Sequence, residues 1–297
     1  MREVPAGLVV VDKPAGMTSH DVVSRVRRLA GTRKVGHAGT LDPMATGVLV
    51  LGLERATRLL GHLTLTDKRY AATIRLGVTT TTDDAEGEVV ETRSTDAVTE
   101  GRVRDALASY VGEIDQVPSS VSAIKVGGKR SYARVRSGEH VQLAARPVTV
   151  HRFTVLARSE VLDDGHPALD LDVEVDVSSG TYVRALARDL GQRLGVGGHL
   201  TTLRRTRVGP YGLDLASTLD QLAERFTVLS PAEAAAAVFP VRTLTTDETT
   251  DLRHGKRVSA SGQGEGPVAA LDPGGELVAL LEDRGPQARS LLVVPPG

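Results

Sequence analysis

One acid, Asp42, lies in the glycine-rich stretch GHAGTLDPMATG, residues 36–47, immediately before an apolar run at 48–51. Glycines allow tight turns and let a backbone approach a ligand closely. A carboxylate in such a place can be a turn residue, a metal ligand, part of a phosphate loop or a nucleophile. The rest of the sequence has to distinguish these four readings.

Spacing alone favours the simplest reading of Asp42, because an Asp-Pro pair commonly starts a turn. A metal site is disfavoured, since His37 is five residues away and no third ligand is nearby. A phosphate loop would need a Gly-Lys-Ser/Thr ending that is missing here. A glycosidase that pairs Asp42 with Asp67, Asp83 or Asp84 stays open.

A second motif, SSGTYVRALARDLG at residues 178–191, follows a strand-like stretch. Gly180 allows a turn, Thr181 is a good helix cap, and Arg184 then falls in the first helical turn. A cation is unfavourable beside the positive end of a helix dipole. The placement therefore indicates a functional partner for Arg184, such as a buried carboxylate, although an ordinary surface arginine at a helix start gives the same pattern.

The net charge of −1 conceals two basic segments. Residues 122–158 hold eight cations against one acid, Glu139, and residues 184–207 hold six arginines against Asp189. Such segregation indicates a local polyanion-binding face, although a solvated surface gives the same pattern.

The composition excludes several classes of protein. The 297 residues include no cysteine, which rules out disulfides, zinc–thiolate sites, iron–sulfur clusters and thiol catalysis. The first residues lack a long apolar run and predict no signal peptide, and no stretch is long enough to suggest a membrane span. A cytosolic protein fits these features.

Hydrophobic periodicity predicts an irregular mixture of strands and helices, hence an α+β fold rather than a doubly wound sheet. Strands are predicted at 7–12, 48–53, 69–77, 148–157 and 168–177. Helices are predicted at 19–29, 54–63, 100–112, 130–137, 181–194, 215–224 and 231–238. Residues 31–40 are predicted to be a loop.

The last block, 241–297, has short predicted strands at 267–271, 277–282 and 290–294 between Gly/Pro turns. We predict a small β-rich domain with a boundary near residue 240.

Five segments together resemble a known family. They are the two motifs above with VDKPAGMTSHDV (11–22), KRYAATIRLG (68–77) and TTLRRTRVG (201–209). In this order they resemble the TruB family of bacterial tRNA pseudouridine synthases, which modify uridine 55 in the T arm. The resemblance covers most of residues 7–212 and continues more loosely to the C-terminus.

The resemblance implies a pseudouridine-synthase-like fold, with a mixed, mainly antiparallel sheet flanked by helices. Residues 1–240 would form the catalytic domain, with a basic thumb-like insertion at 118–147 that clamps RNA. Residues 241–297 would form a small β-rich, PUA-like domain. The implied enzyme is a cytoplasmic monomer that needs no cofactor or metal and acts on the T stem-loop of tRNA.

The resemblance also assigns catalytic roles. Asp42 would be the nucleophile acting on a flipped-out uridine, by attack on the sugar, attack on the base or assistance of elimination to a glycal. Arg184 would supply the opposite charge that keeps Asp42 ionised. Tyr70 would stack on the base and handle a proton.

Further residues match substrate-binding positions. His37 would occupy the gap left by the flipped nucleotide, and Tyr182 and Leu203 would line the pocket. Basic residues would contact the RNA backbone, namely Lys125, Lys129, Arg130, Arg134, Arg204, Arg205 and Arg207. A non-catalytic RNA-binding or RNA-folding module on the same scaffold stays open as an alternative.

Overall fold

The structure, a computed structural model, describes residues 5–63, 66–119, 125–126, 129–130 and 143–295. These residues form an α+β fold, as the sequence predicts. They divide into two compact units, one of Met1–Pro43, Gly47–Leu65 and Arg207–Gly297, the other of Met44–Thr46 and Thr66–Thr206. Among the described helices, none is both long and apolar enough to cross a membrane.

Helices and strands are numbered in chain order. The helices are α1 (Ser19–Ala30), α2 (Leu60–Leu63), α3 (Glu100–Ala108), α4 (Val183–Leu194), α5 (Leu219–Glu224), α6 (Pro231–Ala236) and α7 (Thr246–Arg253), with 3₁₀ helices at Glu54–Leu59 and Leu213–Leu215. The strands of the first half are β1 (Gly7–Lys13), β2 (Val35–Ala38), β3 (Thr46–Leu53), β4 (Lys68–Leu76), β5 (Val78–Thr80), β6 (Val89–Thr92), β7 (Gly112–Gln116), β8 (Lys125–Val126) and β9 (Lys129–Arg130). Those of the second half are β10 (Arg146–Asp163), β11 (His166–Val177), β12 (Gly198–Val208), β13 (Tyr211–Gly212), β14 (Val241–Thr243), β15 (Val258–Ser259), β16 (Pro267–Leu271), β17 (Leu277–Arg284) and β18 (Gln287–Val293).

In the first unit, β3 pairs antiparallel with both β1 and β2. Helix α1 begins where predicted, because Thr18 accepts a bond from the Asp21 amide and Asp21 binds the Thr18 amide in return, a capping box. It ends at Gly31, whose φ of 70° suits a residue without Cβ. Three valines of α1 (Val22, Val23 and Val26) are buried, and Leu29 of the same helix is half-buried.

The C-terminal residues build a five-stranded sheet in the order β14-β16-β17-β18-β15. Helix α7 and part of the sheet share one apolar core, which includes Leu252 and Leu281. Other residues of the sheet, including Leu280, join a second core with Leu8 and Val50 of β1 and β3. The chain's last strands are therefore packed against its first ones, and the predicted domain boundary near residue 240 stays a prediction.

In the second unit, five strands lie in the order β12-β4-β11-β10-β7. Strand β11 pairs antiparallel with β4 and with β10. The strand predicted at 168–177 is confirmed as part of β11, in which most apolar residues are buried and alternate acids take part in cross-strand polar contacts. Arg75 binds Asp170 and Asp163 at 2.8 and 2.6 Å, and Arg69 binds Asp176 at 2.7 Å. Opposite charges across neighbouring strands stabilise such a pairing.

Several predicted boundaries are wrong for identifiable reasons. The helix predicted at 100–112 ends at Ala108, and Val111, which lies within the predicted range, is exposed. The predicted loop 31–40 contains β2, whose Val-Gly-His-Ala sequence carries a weak strand signal. The helix predicted at 130–137 lies outside the described residues except for Arg130, which belongs to β9.

A buried tyrosine gives a test of this fold. The Tyr211 hydroxyl donates to the Ala234 carbonyl at 2.7 Å, and burial raises the pKa of Tyr211. We expect Tyr211→Phe to lower the free energy of unfolding by about 1–2 kcal/mol, because a buried carbonyl loses its donor. Urea denaturation measures this, with Tyr110→Phe, a half-buried tyrosine of the second unit, as control. If both substitutions lowered the free energy of unfolding equally, the stabilising role of the bond from Tyr211 to Ala234 would be contradicted.

Candidate active site

Asp42 lies in the loop that connects β2 to β3, and it is half-buried. The backbone just before it is held by Ser19, the first residue of α1. The Ser19 hydroxyl accepts from the Leu41 amide at 2.9 Å and donates to the Leu41 carbonyl at 3.1 Å. One buried side chain thus fixes both polar groups of the residue that precedes Asp42.

The backbone just after Asp42 is also held by hydrogen bonds. The Pro43 carbonyl accepts from the Gly16 amide at 2.9 Å and from the Lys13 ammonium at 3.2 Å. Lys13 is 0% exposed and also donates to the carbonyls of Pro14 and Met17, at 2.8 and 2.6 Å. A buried ammonium is tolerated when several oxygens surround it. The Asp42 loop is therefore preorganised through its backbone.

His37 lies in strand β2, opposite Leu51 of β3, and not in a loop as predicted. Its ring is half-buried and packs edge-on against the His20 ring of α1, with centroids 5.4 Å apart. Helix α1 therefore contacts the β2–β3 hairpin at two places, through Ser19 and through His20. Asp42 and His37, two predicted site residues, share this hairpin.

Arg184 is the second residue of α4 and is only 4% exposed. Its guanidinium binds the Asp84 carboxylate at 3.1 Å and the Thr82 carbonyl at 3.0 Å. A buried carboxylate partner was predicted for this arginine, and Asp84 is one. The predicted cap was wrong, since Tyr182 and not Thr181 is the N-cap residue, while Thr181 binds the Ser178 carbonyl.

Sequence reasoning missed the role of Asp84, which it considered only as a second acid for a glycosidase. Asp84 is 2% exposed, and its carboxylate also accepts from the Thr82 hydroxyl and the Glu86 amide. Asp83 before it has a positive φ of 61°, which makes the turn that aims Asp84 inward. The signal for this turn was the run TTDDAEG at 81–87, a Thr/Asp-rich stretch that ends in glycine.

Further predicted site residues belong to the second unit. Tyr70 of β4 and Leu203 of β12 are buried, and Tyr182 at the start of α4 is half-buried. Tyr70 follows Lys68 by two residues, so the two side chains lie on the same face of β4. The structure thus places Tyr182 two residues before Arg184, and Tyr70 and Leu203 on neighbouring strands.

The predicted RNA-backbone contacts have different locations. Lys125, Lys129 and Arg130 belong to the short strand pair β8–β9, and Arg134 lies outside the described residues. Three arginines belong to β12, namely Arg204, Arg205 and Arg207. Arg205 is 1% exposed, so its guanidinium is not on the surface, whereas the other two are half-buried.

A further buried cation, Lys68, lies close enough to Arg205 to be affected by its charge. Burial, with a smaller contribution from Arg205, lowers the pKa of the Lys68 ammonium to about 8. Its Nζ donates to the Thr66 carbonyl at 2.9 Å. A lysine of this pKa changes charge near physiological pH, which ordinary lysines do not.

Each unit, considered by itself, holds groups that could take part in chemistry. The first holds a carboxylate on a fixed loop, and the second holds a buried guanidinium and a buried phenol. Among the described residues there is no group of three or more His, Asp or Glu side chains placed to hold a metal ion.

Comparison with known proteins identifies the family. Residues 27–183 match the TruB family pseudouridylate synthase N-terminal domain. The chain belongs to the TruB family of pseudouridylate synthases. Two C-terminal family domains, the tRNA pseudouridylate synthase B C-terminal domain and the tRNA pseudouridine synthase II C-terminal domain, match residues 184–244 and 239–295.

Named relatives are similar over nearly their whole length. A tRNA pseudouridine synthase B from Arthrobacter sp. (strain FB24) is 62% identical, over 98% of this chain and 97% of that protein. One from Thermobifida fusca (strain YX) is 58% identical, over 97% and 98%. A chain of an H/ACA ribonucleoprotein bound to a substrate RNA containing 2′-deoxyuridine is 26% identical, with a TM-score of 0.71 over 98% of this chain and 85% of that chain.

The Ser19 clamp leads to a testable expectation. We expect Ser19→Ala to lower the single-turnover rate of pseudouridine formation about tenfold or more, because the Asp42 loop loses two bonds that fix it. The free energy of unfolding should fall by about 1–2 kcal/mol. Ser24→Ala on the exposed side of the same helix, which removes a 2.9 Å bond to the His20 carbonyl, is the control. If Ser19→Ala reacted as fast as this control, the bonds from Ser19 to the Asp42 loop would not matter for the reaction.

Lys68 gives an expectation about pH. Its ammonium titrates near pH 8 in the folded protein and near 10.5 when unfolded. Between these values the unfolded chain binds more protons, so this group makes stability rise with pH. Relative to Lys68→Met, we expect the wild type to gain up to about 3 kcal/mol between pH 8 and 10.5. Relative to Lys256→Met, a substitution at an exposed position, the wild type should show no such gain. If the difference in free energy of unfolding between wild type and Lys68→Met did not change with pH, the lowered pKa of Lys68 would be contradicted.

Proposed function

We propose that this protein isomerises uridine 55 in the T arm of tRNA to pseudouridine, with Asp42 as the nucleophile acting on a flipped-out uridine. The observation that carries the proposal is the 62% identity, over 98% of the chain, to a protein named tRNA pseudouridine synthase B. The motifs around Asp42 and Arg184 support the assignment of uridine 55, because they match the pattern of that family.

The reaction breaks the bond between N1 of uracil and C1′ of ribose, turns the base and joins C5 to C1′. Proton balance requires that C5 lose a proton and N1 gain one, so the product is an isomer and no electrons are transferred. The required groups are an ionised carboxylate and a proton acceptor for C5. We assign the first role to Asp42 and the second to Tyr70.

The backbone bonds around Asp42 support its role. Ser19 and Lys13 fix Leu41 and Pro43, the two neighbours of Asp42, so the carboxylate starts from a defined position. A nucleophile held in place before the substrate binds loses little entropy in the reaction.

We assign to Arg184 the positive charge that favours the ionised form of Asp42. Its burial supports this role, since an arginine away from water acts through a low dielectric and is weakly screened. Asp84 and the Thr82 carbonyl hold the guanidinium in one orientation.

Substrate binding is assigned to the remaining residues. A uridine in a folded RNA loop is stacked, and an enzyme must extrude it before acting on it. We propose that His37 fills the resulting gap and that Tyr182 and Leu203 line the pocket. The half-buried Arg204 and Arg207, with the basic residues at 125–134, would contact phosphates, and the buried Arg205 is left out of this set.

The solved relative supports an RNA substrate. The similar chain belongs to a ribonucleoprotein bound to a substrate RNA. A cytoplasmic, monomeric state stays a prediction.

The test is incubation with an unmodified tRNA transcript in the presence of a chelator, with pseudouridine mapped at each nucleotide. We expect conversion at uridine 55 alone, and loss of at least about 10³-fold in rate for Asp42→Asn. Asp214→Asn, an exposed acid of the same unit, is the control.

Three outcomes would contradict the proposal or one of its parts. Wild-type protein that binds tRNA without converting it would indicate an RNA-binding module instead. Residual turnover in the Asn variant similar to the control would remove Asp42 from the nucleophile role. Binding that does not weaken as salt rises would contradict the phosphate contacts.

A further inference from the structure

Gln116, the last residue of β7, binds both polar backbone groups of Tyr182. Its Nε2 donates to the Tyr182 carbonyl at 3.0 Å, and its Oε1 accepts from the Tyr182 amide at 2.8 Å. Gln116 is 2% exposed, so its side-chain amide is buried, whereas Tyr182 is half-buried. The side-chain amide of Gln116 therefore uses both its nitrogen and its oxygen to bind a single residue of the candidate site.

The residue held in this way begins α4. Other helices of the protein, for example α1 and α7, are capped by the side chain of their own N-cap threonine, Thr18 or Thr245. Tyr182 makes no such bond from its own side chain to the first turn of α4. The start of α4 is thus fixed from outside the helix, by a side chain on a strand.

This attachment lies next to Arg184. Arg184 follows Tyr182 by two residues in the chain. Its guanidinium is held by the Asp84 carboxylate and the Thr82 carbonyl. A further bond ties the same helix to the end of β7, since Arg188 donates to the Val117 carbonyl at 2.7 Å. The first turn of α4 is therefore fixed at its backbone by Gln116 and at its arginine side chain by the turn of Asp84.

We propose that Gln116 is a positioning residue for pseudouridine formation: it holds the Tyr182 backbone and thereby sets where Tyr182 and Arg184 are presented. The inference rests on the proposed function. It assigns to Gln116 no contact with the RNA, because the side chain is buried and both ends of its amide bind protein.

The substitution Gln116→Glu separates positioning from mere space filling. A neutral carboxyl group can donate to the Tyr182 carbonyl and accept from its amide, as the native amide does. An ionised carboxylate cannot donate and sets a negative charge against a carbonyl oxygen. Burial raises the pKa of an introduced carboxyl above its ordinary value of about 4.3. The variant should therefore be rescued by acid.

The experiment measures single-turnover pseudouridine formation on a tRNA transcript from pH 5.5 to 8.5. Each variant is assayed at a temperature where circular dichroism shows it folded. We expect Gln116→Glu to react within about threefold of wild type at pH 5.5 and at least about tenfold more slowly at pH 8.5. Its affinity for tRNA should match wild type throughout. Gln192→Glu, at an exposed position of α4, should follow wild type at every pH.

A second variant, Gln116→Leu, removes both bonds and should lose at least about tenfold in rate at every pH. A rate within twofold of wild type for this variant, or a ratio of Gln116→Glu to wild type that does not change with pH, would overturn the inference. If Gln116→Leu does not fold, the pH profile of Gln116→Glu decides alone. Absence of pseudouridine with the wild type would instead contradict the proposed function.

Discussion

The buried pair of Arg184 and Asp84 sets the main constraint on the second unit. Removing a charge from water costs several kcal/mol, and the cost is recovered only when the partner and the remaining hydrogen bonds are well placed. That requirement explains the positive φ at Asp83, the bond from the Glu86 amide to Asp84 and the bond from Arg184 to the Thr82 carbonyl. A turn and a helix that are far apart in sequence are thereby held in one geometry.

The described contacts around the candidate site share one feature: residues close to Asp42 and Arg184 in the chain are held through their backbone groups. Leu41 and Pro43 are bound beside Asp42, and Tyr182 is bound two residues before Arg184. A substitution leaves the backbone carbonyl of a residue in place. These hydrogen bonds therefore fix the position of the bound segment whatever side chain the bound residue carries. The groups that make the attachments, a buried ammonium and a buried hydroxyl among them, are themselves sensitive to change.

Much of this architecture could be predicted from local pattern. The alternation of β11 and the capping of α1 follow from residues that are neighbours in the chain. Strand β12 was not predicted, because its Thr- and Arg-rich sequence lacks clean alternation and its pairing partners are distant. Helix α7 was missed because its polar sequence, TDETTDLR, shows little apolar periodicity. Long-range pairing carries information that no local window contains.

The same limit applies to the site. Motifs identified Asp42 and Arg184, and a dipole argument predicted a buried carboxylate near the arginine. The identity of Asp84 as such a partner, and of Gln116 as the support of Tyr182, depends on contacts across 100 and 66 residues of sequence. Neither residue stands in one of the recognisable motifs, and only the three-dimensional arrangement shows what they contact.

The core that joins the first strands to the last ones has a consequence for synthesis. Leu8 and Val50 leave the ribosome before Leu280, which packs in the same cluster and is made 230 residues after Val50. The second unit lies between them in the chain and can complete its own sheet first. During translation, the amino-terminal strands therefore lack part of their apolar cover until the strand that holds Leu280 has been made.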